Sequence, residues 1–140
     1  MSEIVVDPSV ALCWFATEKE TAFANRLIAA AVDLVAPSLM LVKLANGLRK
    51  KTRRGEMTAN LAYSGLREIW RFVPQIADLS DLAEPAMALA RELDHSVYDC
   101  VYLALARRRG ATLVTSDQKM VARLARTRYR NDVVRLVDWK

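Results

Sequence analysis

Apolar and polar positions change period several times along this chain, and each change predicts an element. Ile4-Val5-Val6 is β-branched and apolar on both faces, which suits a buried parallel strand. Asp7 as N-cap with Pro8 at the first helical position then starts a short apolar helix carrying Val10, Leu12, Trp14 and Phe15. A second helix is expected over about 19–31, followed by a strand over 33–36 closed by Pro37. Ser38 is placed to cap a long third helix, with Leu39, Val42, Ala45, Leu48 and Lys51 at helical spacing and Gly55 at its end. Thr58 caps a fourth helix with Leu61, Leu66, Ile69 and Trp70. Residues 72–76 read as a third strand, an edge strand because Pro74 interrupts it. Helices over about 81–93 and from Ser96 to 109 follow, and Gly110 stops the second. Residues 112–115 form a strand, Asp117 begins a seventh helix ending near Thr127, and 133–137 make a last strand. Strands alternating with helices predict a parallel sheet covered on both faces. No repeat, low-complexity tract or linker interrupts residues 1–140, so one α/β domain is expected.

Composition adds a bias rather than a fold. The 140 residues are 53% hydrophobic, enough for a core without disulfides, and the formal net charge is +5. A basic chain favours an acidic partner, nucleic acid being the commonest. The cations cluster in Arg49-Lys50-Lys51-Thr52-Arg53-Arg54, in Arg107-Arg108-Arg109, and at Lys119, Arg123, Arg126, Arg128 and Arg130. They suit RNA phosphates, a partner's acidic segment, or simply a solvated face. Cys13 and Cys100 lie in apolar surroundings and read as reduced core residues. The opening residues lack a basic n-region and an apolar run, and no segment is apolar for long enough to span a membrane. A soluble, cytoplasmic protein is expected.

Candidate chemistry sits at the strand ends. In open α/β sheets, ligands bind beyond the carboxyl ends of the strands. Asp7 and Asp117 each follow a strand, and Asp99 opens a helix leading back toward the second of these. Three carboxylates can therefore meet at one edge, and their oxygens suit magnesium or manganese. Each also has a purely structural use as a helix cap, Asp99 through the box Ser96-Val97-Tyr98-Asp99. A nucleophile pair of Cys100 with His95, the one histidine, lacks a third orienting group.

The segments Val-Val-Asp-Pro-Ser-Val-Ala-Leu-Cys-Trp-Phe (5–15), Val-Tyr-Asp-Cys-Val-Tyr-Leu-Ala-Leu-Ala (97–106) and Leu-Val-Thr-Ser-Asp-Gln-Lys-Met (113–120) occur in that order. Together with 36–50 they resemble the PIN-domain family and, within it, the VapC-type toxins of bacterial toxin–antitoxin pairs. That resemblance implies a three-layer α/β/α sandwich with a five-stranded parallel sheet. It also implies a metal-dependent endoribonuclease, a cognate antitoxin, an RNA substrate and a homodimer. Asp7, Asp99 and Asp117 match the family's metal-site acids, Thr115 a nearby hydroxyl residue, and Asn46 an asparagine of the third helix. Lys43 stands where the family has a glutamate. That charge reversal implies a lysine bridging to the aspartates and an activity weakened or abolished. The alternative is a binding module that pairs with an antitoxin without cutting RNA. Trp14, Phe15, Phe23, Leu27, Met40, Met57 and Tyr63 are either core or, by the resemblance, a groove for an antitoxin segment. A phospho-receiver domain shares the alternation but expects an acidic pair at the first strand, where this chain has Asp7 alone.

Overall fold

A computed structural model describes residues 3–30 and 32–140. Five strands form one parallel sheet: β1 (Glu3–Val6), β2 (Asp33–Pro37), β3 (Gln75–Ala77), β4 (Thr112–Thr115) and β5 (Val133–Arg135), in the order β3-β2-β1-β4-β5. Ile4, Val5 and Val6 are all buried although their side chains alternate between faces. A strand buried on both sides needs helices on both sides, and the expected three-layer α/β arrangement is what the chain builds.

The helices are α1 (Pro8–Phe15), α2 (Thr21–Ala29), α3 (Leu39–Arg53), α4 (Ala59–Phe72), α5 (Ala83–Leu93), α6 (Val97–Arg109) and α7 (Gln118–Leu124). Helix α6 is buried without a break from Cys100 to Ala106, lies across β1, β2 and β4, and packs along α5. Its all-round burial explains the apolar run that carries no helical stripe. Helix α1 packs on α2, α3 and α4 and touches β4. Trp14 stacks on Phe72 with ring centroids 5.4 Å apart, and Phe15 meets Phe72 edge-on at 5.3 Å. A Cβ added at Gly65 of α4 would lie 2.9 Å from Phe15 Cγ, so a glycine is what lets the two helices touch.

Several boundaries differ from expectation. Helix α2 begins at Thr21, whose hydroxyl accepts from the Glu18 N–H at 2.9 Å, and it ends at Ala29; Ala31, the expected end, lies outside the described residues. Ser38 makes no side-chain cap; its N–H instead donates to Ala77 O at 2.8 Å, tying α3 to the sheet edge. Phe72 belongs to α4, so β3 starts beyond Pro74 and is an edge strand as expected. Helix α5 begins at Ala83, because 78–80 are taken by a turn in which Asp78 accepts from Ser80. Helix α7 closes at Leu124. The last strand stops at Arg135, where the chain coils into a 3-10 turn over Leu136–Asp138 that buries Leu136. Gly110 takes φ 62° to end α6, as its position predicts. Among the described residues no helix is long and apolar enough to cross a membrane.

Candidate active site

Strands β1 and β4 are neighbours in register, Val6 opposite Val114, so the residues that follow them emerge together. The chain leaves β1 toward β2 and β3, then returns on the other side of β1 to form β4 and β5. This reversal makes the β1/β4 edge the switch point where α/β sheets place their ligands.

Asp7 leaves β1 in extended conformation and caps α1. Its Oδ1 accepts from Ser9 N at 3.1 Å, Ser9 Oγ at 2.5 Å and Val10 N at 3.3 Å. Its Oδ2 accepts from the Thr115 hydroxyl, and Thr115 Oγ1 in turn accepts from Asp117 N at 2.9 Å. A second tie runs from Ser116 N to Ser9 Oγ at 3.0 Å. Asp117 Oδ1 caps α7, accepting from Lys119 N at 3.0 Å and Met120 N at 3.2 Å. Asp7 and Asp117 are thus both helix caps and neighbours at one edge, joined through the fully buried Thr115. Burial pushes the Asp7 carboxyl up to about 6, against the hydrogen bonds from Ser9, Thr115 and Val10, and the Asp117 charge adds to the rise.

Asp99 stands in the first turn of α6, where Ser96 Oγ accepts from Tyr98 N at 3.2 Å. The capping-box half expected of Asp99 is replaced by a contact from its Oδ2 to His95 Nε2 at 3.0 Å. Among the described residues no three His, Cys, Asp or Glu side chains gather closely enough to hold a metal ion. The expected bridge from Lys43 to the aspartates is also absent among the described residues. Lys43 is exposed, and its Nζ lies 4.8 Å over the ring of the exposed Tyr98, a cation–π contact beside the turn that carries Asp99. Asn46, three residues on along α3, is exposed.

Sequence reasoning missed three contributors. Ser9 carries a signal, a hydroxyl two residues after a capping aspartate. Ser116 acts through its backbone N–H, which no residue type reveals. Tyr102 falls three residues after Asp99 at helical spacing. It is buried, its hydroxyl has no hydrogen-bond partner among the described residues, and burial raises its pKa, with the Asp7 and Asp99 charges adding to the rise.

The chemistry of the three aspartates, though not their spacing in the metal-free chain, suits a hard divalent cation. The Asp117 Oδ2 and Asp99 Oδ1 atoms accept no side-chain or backbone hydrogen bond among the described residues, and Asp7 Oδ2 accepts only one. Free carboxylate oxygens beside a buried acid are what magnesium or manganese takes, completing its shell with water. A positive charge there would relieve the buried Asp7.

The cysteines are free and buried, and burial pushes both thiols up to about 11. His95 turns to Asp99, so the Cys100–His95 pair does not form. Much of the basic sequence is engaged elsewhere. Arg107 pairs with Asp132 and lies over Tyr129, Arg108 reaches Asp81 O, and Arg109 binds Glu3 and Gln75 at the opposite edge of the sheet. Arg123 reaches the carbonyls of Leu93 and Asp94, Arg128 binds Glu92, and Lys51 pairs with Glu18 at 2.6 Å. Lys50, Arg53 and Arg54 remain exposed toward the end of α3. The apolar question also divides. Leu27 and Met40 are core, and Trp14, Phe15, Phe23 and Met57 pack against it. Tyr63 is exposed and lines a groove of about 350 Å³ between α3 and α4, with Ala45, Leu48, Thr52, Ala62 and Leu66.

The PIN domain family model matches residues 4–126, and the chain belongs to that family. It is 31% identical over 120 residues to ribonuclease VapC3 of Pyrobaculum aerophilum, covering 84% of this chain and 92% of that protein. The fold is similar to the crystal structure of PAE2754 from the same organism, with a TM-score of 0.73 and 21% identity, covering 97% of this chain and 85% of the other. It is also similar to Mycobacterium tuberculosis VapC20, described as a sarcin-ricin loop cleaving toxin, with a TM-score of 0.65, 18% identity and coverage of 80% and 86%. The Rickettsia felis VapBC2 structure, bound to a promoter DNA fragment, gives a TM-score of 0.66 at 16% identity and covers 99% of both chains. The phospho-receiver reading falls with the family match.

Proposed function

We propose that this chain is the toxin of a VapC-type toxin–antitoxin pair, an endoribonuclease acting in the cytoplasm as a homodimer and held by a cognate antitoxin. The observation that carries the reading is the Asp7–Thr115–Asp117 linkage at the switch point of the sheet. Asp7, Asp99 and Asp117 are the residues that would hold Mg2+ or Mn2+; a bound ion there supplies activation of water and stabilisation of charge on the scissile phosphate. The chain's own part is orientation. Ser9 and Thr115 fix the Asp7 carboxylate, the N-terminus of α1 favours negative charge at the same edge, and the exposed cations of α3 draw the RNA backbone. The exposed Tyr63 and the α3–α4 groove suit an apolar antitoxin segment.

Lys43 is where this reading and its alternative part. By the family resemblance a lysine here replaces a carboxylate; it adds a cation beside Tyr98, and Asp99 rests on His95. These observations favour weak cleavage or, in the alternative, a PIN-fold module that binds antitoxin without cutting. RNA cleavage with Mg2+ or Mn2+, abolished by chelator and by Asp7→Asn, supports the enzyme. Lys43→Glu should raise cleavage roughly tenfold or more over the parent chain, about what a 1.4 kcal/mol gain at the transition state gives. Two folded proteins that both leave RNA intact would establish the binding module instead.

A further inference from the structure

Tyr102 is a buried side chain whose hydroxyl nothing explains. The residue is 3% exposed, and its phenol oxygen has no hydrogen-bond partner among the described residues. A buried hydroxyl left unpaired destabilises a fold, and phenylalanine would fill the same space without that defect. Its place on α6 says what the hydroxyl is near. Residues three apart share a helix face, and helical side chains lean toward the N-terminus, so the phenol extends back toward the turn carrying Asp99. Helix α6 also packs on β1, the strand that ends at Asp7. Both carboxylates act electrostatically on the phenol. Asp99 meanwhile has a partner on the other side, His95, one turn earlier.

We propose that Tyr102 is a positioning residue of the acidic site, its hydroxyl donating to the carboxylate of Asp7 or Asp99 when a divalent cation draws the two together. The inference rests on the metal-site reading above. In the metal-free chain the donor is idle; in the loaded site it holds a ligand carboxylate at the geometry the cation needs. The hydroxyl then contributes to affinity for the ion and not to the stability of the empty protein, which separates positioning from packing.

The test is a Mn2+ titration, followed by water-proton relaxation, on the full chain, Tyr102→Phe and Asp7→Asn, with melting curves of each in chelator. Tyr102→Phe should melt in chelator at or slightly above the temperature of the parent chain and bind Mn2+ more weakly by roughly tenfold or more, the loss of one hydrogen bond to a charged group. Equal affinity for Mn2+ in the parent and Tyr102→Phe would overturn the inference and leave the metal-site reading standing. A clear drop in melting temperature of Tyr102→Phe in chelator would overturn it too, since the hydroxyl would then already be paired. Mn2+ binding by none of the three, or equally by Asp7→Asn, would overturn the metal-site reading and the inference together.

Discussion

Asp7→Asn should make the metal-free protein more stable. Asp7 is 8% exposed, and burial moves its carboxyl from 3.8 to about 6. At ~1.4 kcal/mol per pH unit, the charged form costs about 3 kcal/mol relative to the unfolded chain. The folded state binds more protons than the unfolded state between about pH 4 and pH 6. This group therefore lowers stability as pH rises through that window, and the loss is complete above it. Asparagine keeps the cap to Ser9 and Val10 through its Oδ1, being as good an N-cap as aspartate, reverses the bond to Thr115 so that its amide donates to Thr115 Oγ1, and carries no charge to bury. The difference between variant and parent should be near zero at about pH 4 and reach about 2–3 kcal/mol by about pH 7, roughly 5–10 °C in melting temperature. Urea denaturation of both proteins in chelator, across that pH range, measures it directly. Taking the difference removes the carboxylates of Glu3, Asp78 and Glu92, whose values are lowered by their own partners and act in the opposite sense. A variant less stable than the parent near neutral pH, or a difference that does not change with pH, would refute the reasoning. Magnesium should then narrow the gap, because a ligand stabilises only the protein that binds it.

Two further substitutions probe the scaffold of the site. Thr115→Val preserves shape but removes the hydroxyl between Asp7 and Asp117 N, and should cost about 2–4 kcal/mol near neutral pH, where hydrogen bonds to a buried charge count most. A loss below about 0.5 kcal/mol in the same urea assay would mean the linkage is not made in solution. Gly65→Ala should destabilise by about 1–2 kcal/mol although alanine is the better helix former, because its Cβ would meet Phe15 Cγ at 2.9 Å and that ring is already wedged against Phe72. A rise in melting temperature would show that α1 and α4 yield.

The strands and helices were legible wherever period and punctuation agreed. A β-branched run such as Ile4-Val5-Val6 is unambiguous when a capping Asp-Pro follows, and Asp7, Thr58, Ser96 and Asp117 all cap as their residue types predict. Boundaries failed where a local hydrogen bond outcompeted the pattern: Ser38 gives its N–H to Ala77 rather than its hydroxyl to α3, and residues 78–80 form a turn before α5. Within the site, Asp7, Thr115 and Asp117 could be read from their positions at strand ends, but the partners of the acids could not. Asp99 rests on His95 one turn earlier, a choice of rotamer that residue type does not fix, while Lys43 leans on Tyr98 and Arg107 to Arg109 are tied to groups far away in sequence. Charge density read along a chain cannot distinguish a free arginine from one already paired.

The two ends of the sheet carry a consequence for how copies of this chain, or other chains, can approach it. β3 is three residues long and preceded by Pro74, and β5 is three residues long before it coils away at Leu136. Such margins offer few unpaired amides in line, which disfavours lengthening of the sheet by another chain's strand. They favour association through side chains on helical surfaces over backbone pairing. Specificity between related proteins built this way would be written in helix-face residues, which can drift without disturbing the strands that hold the acids in place.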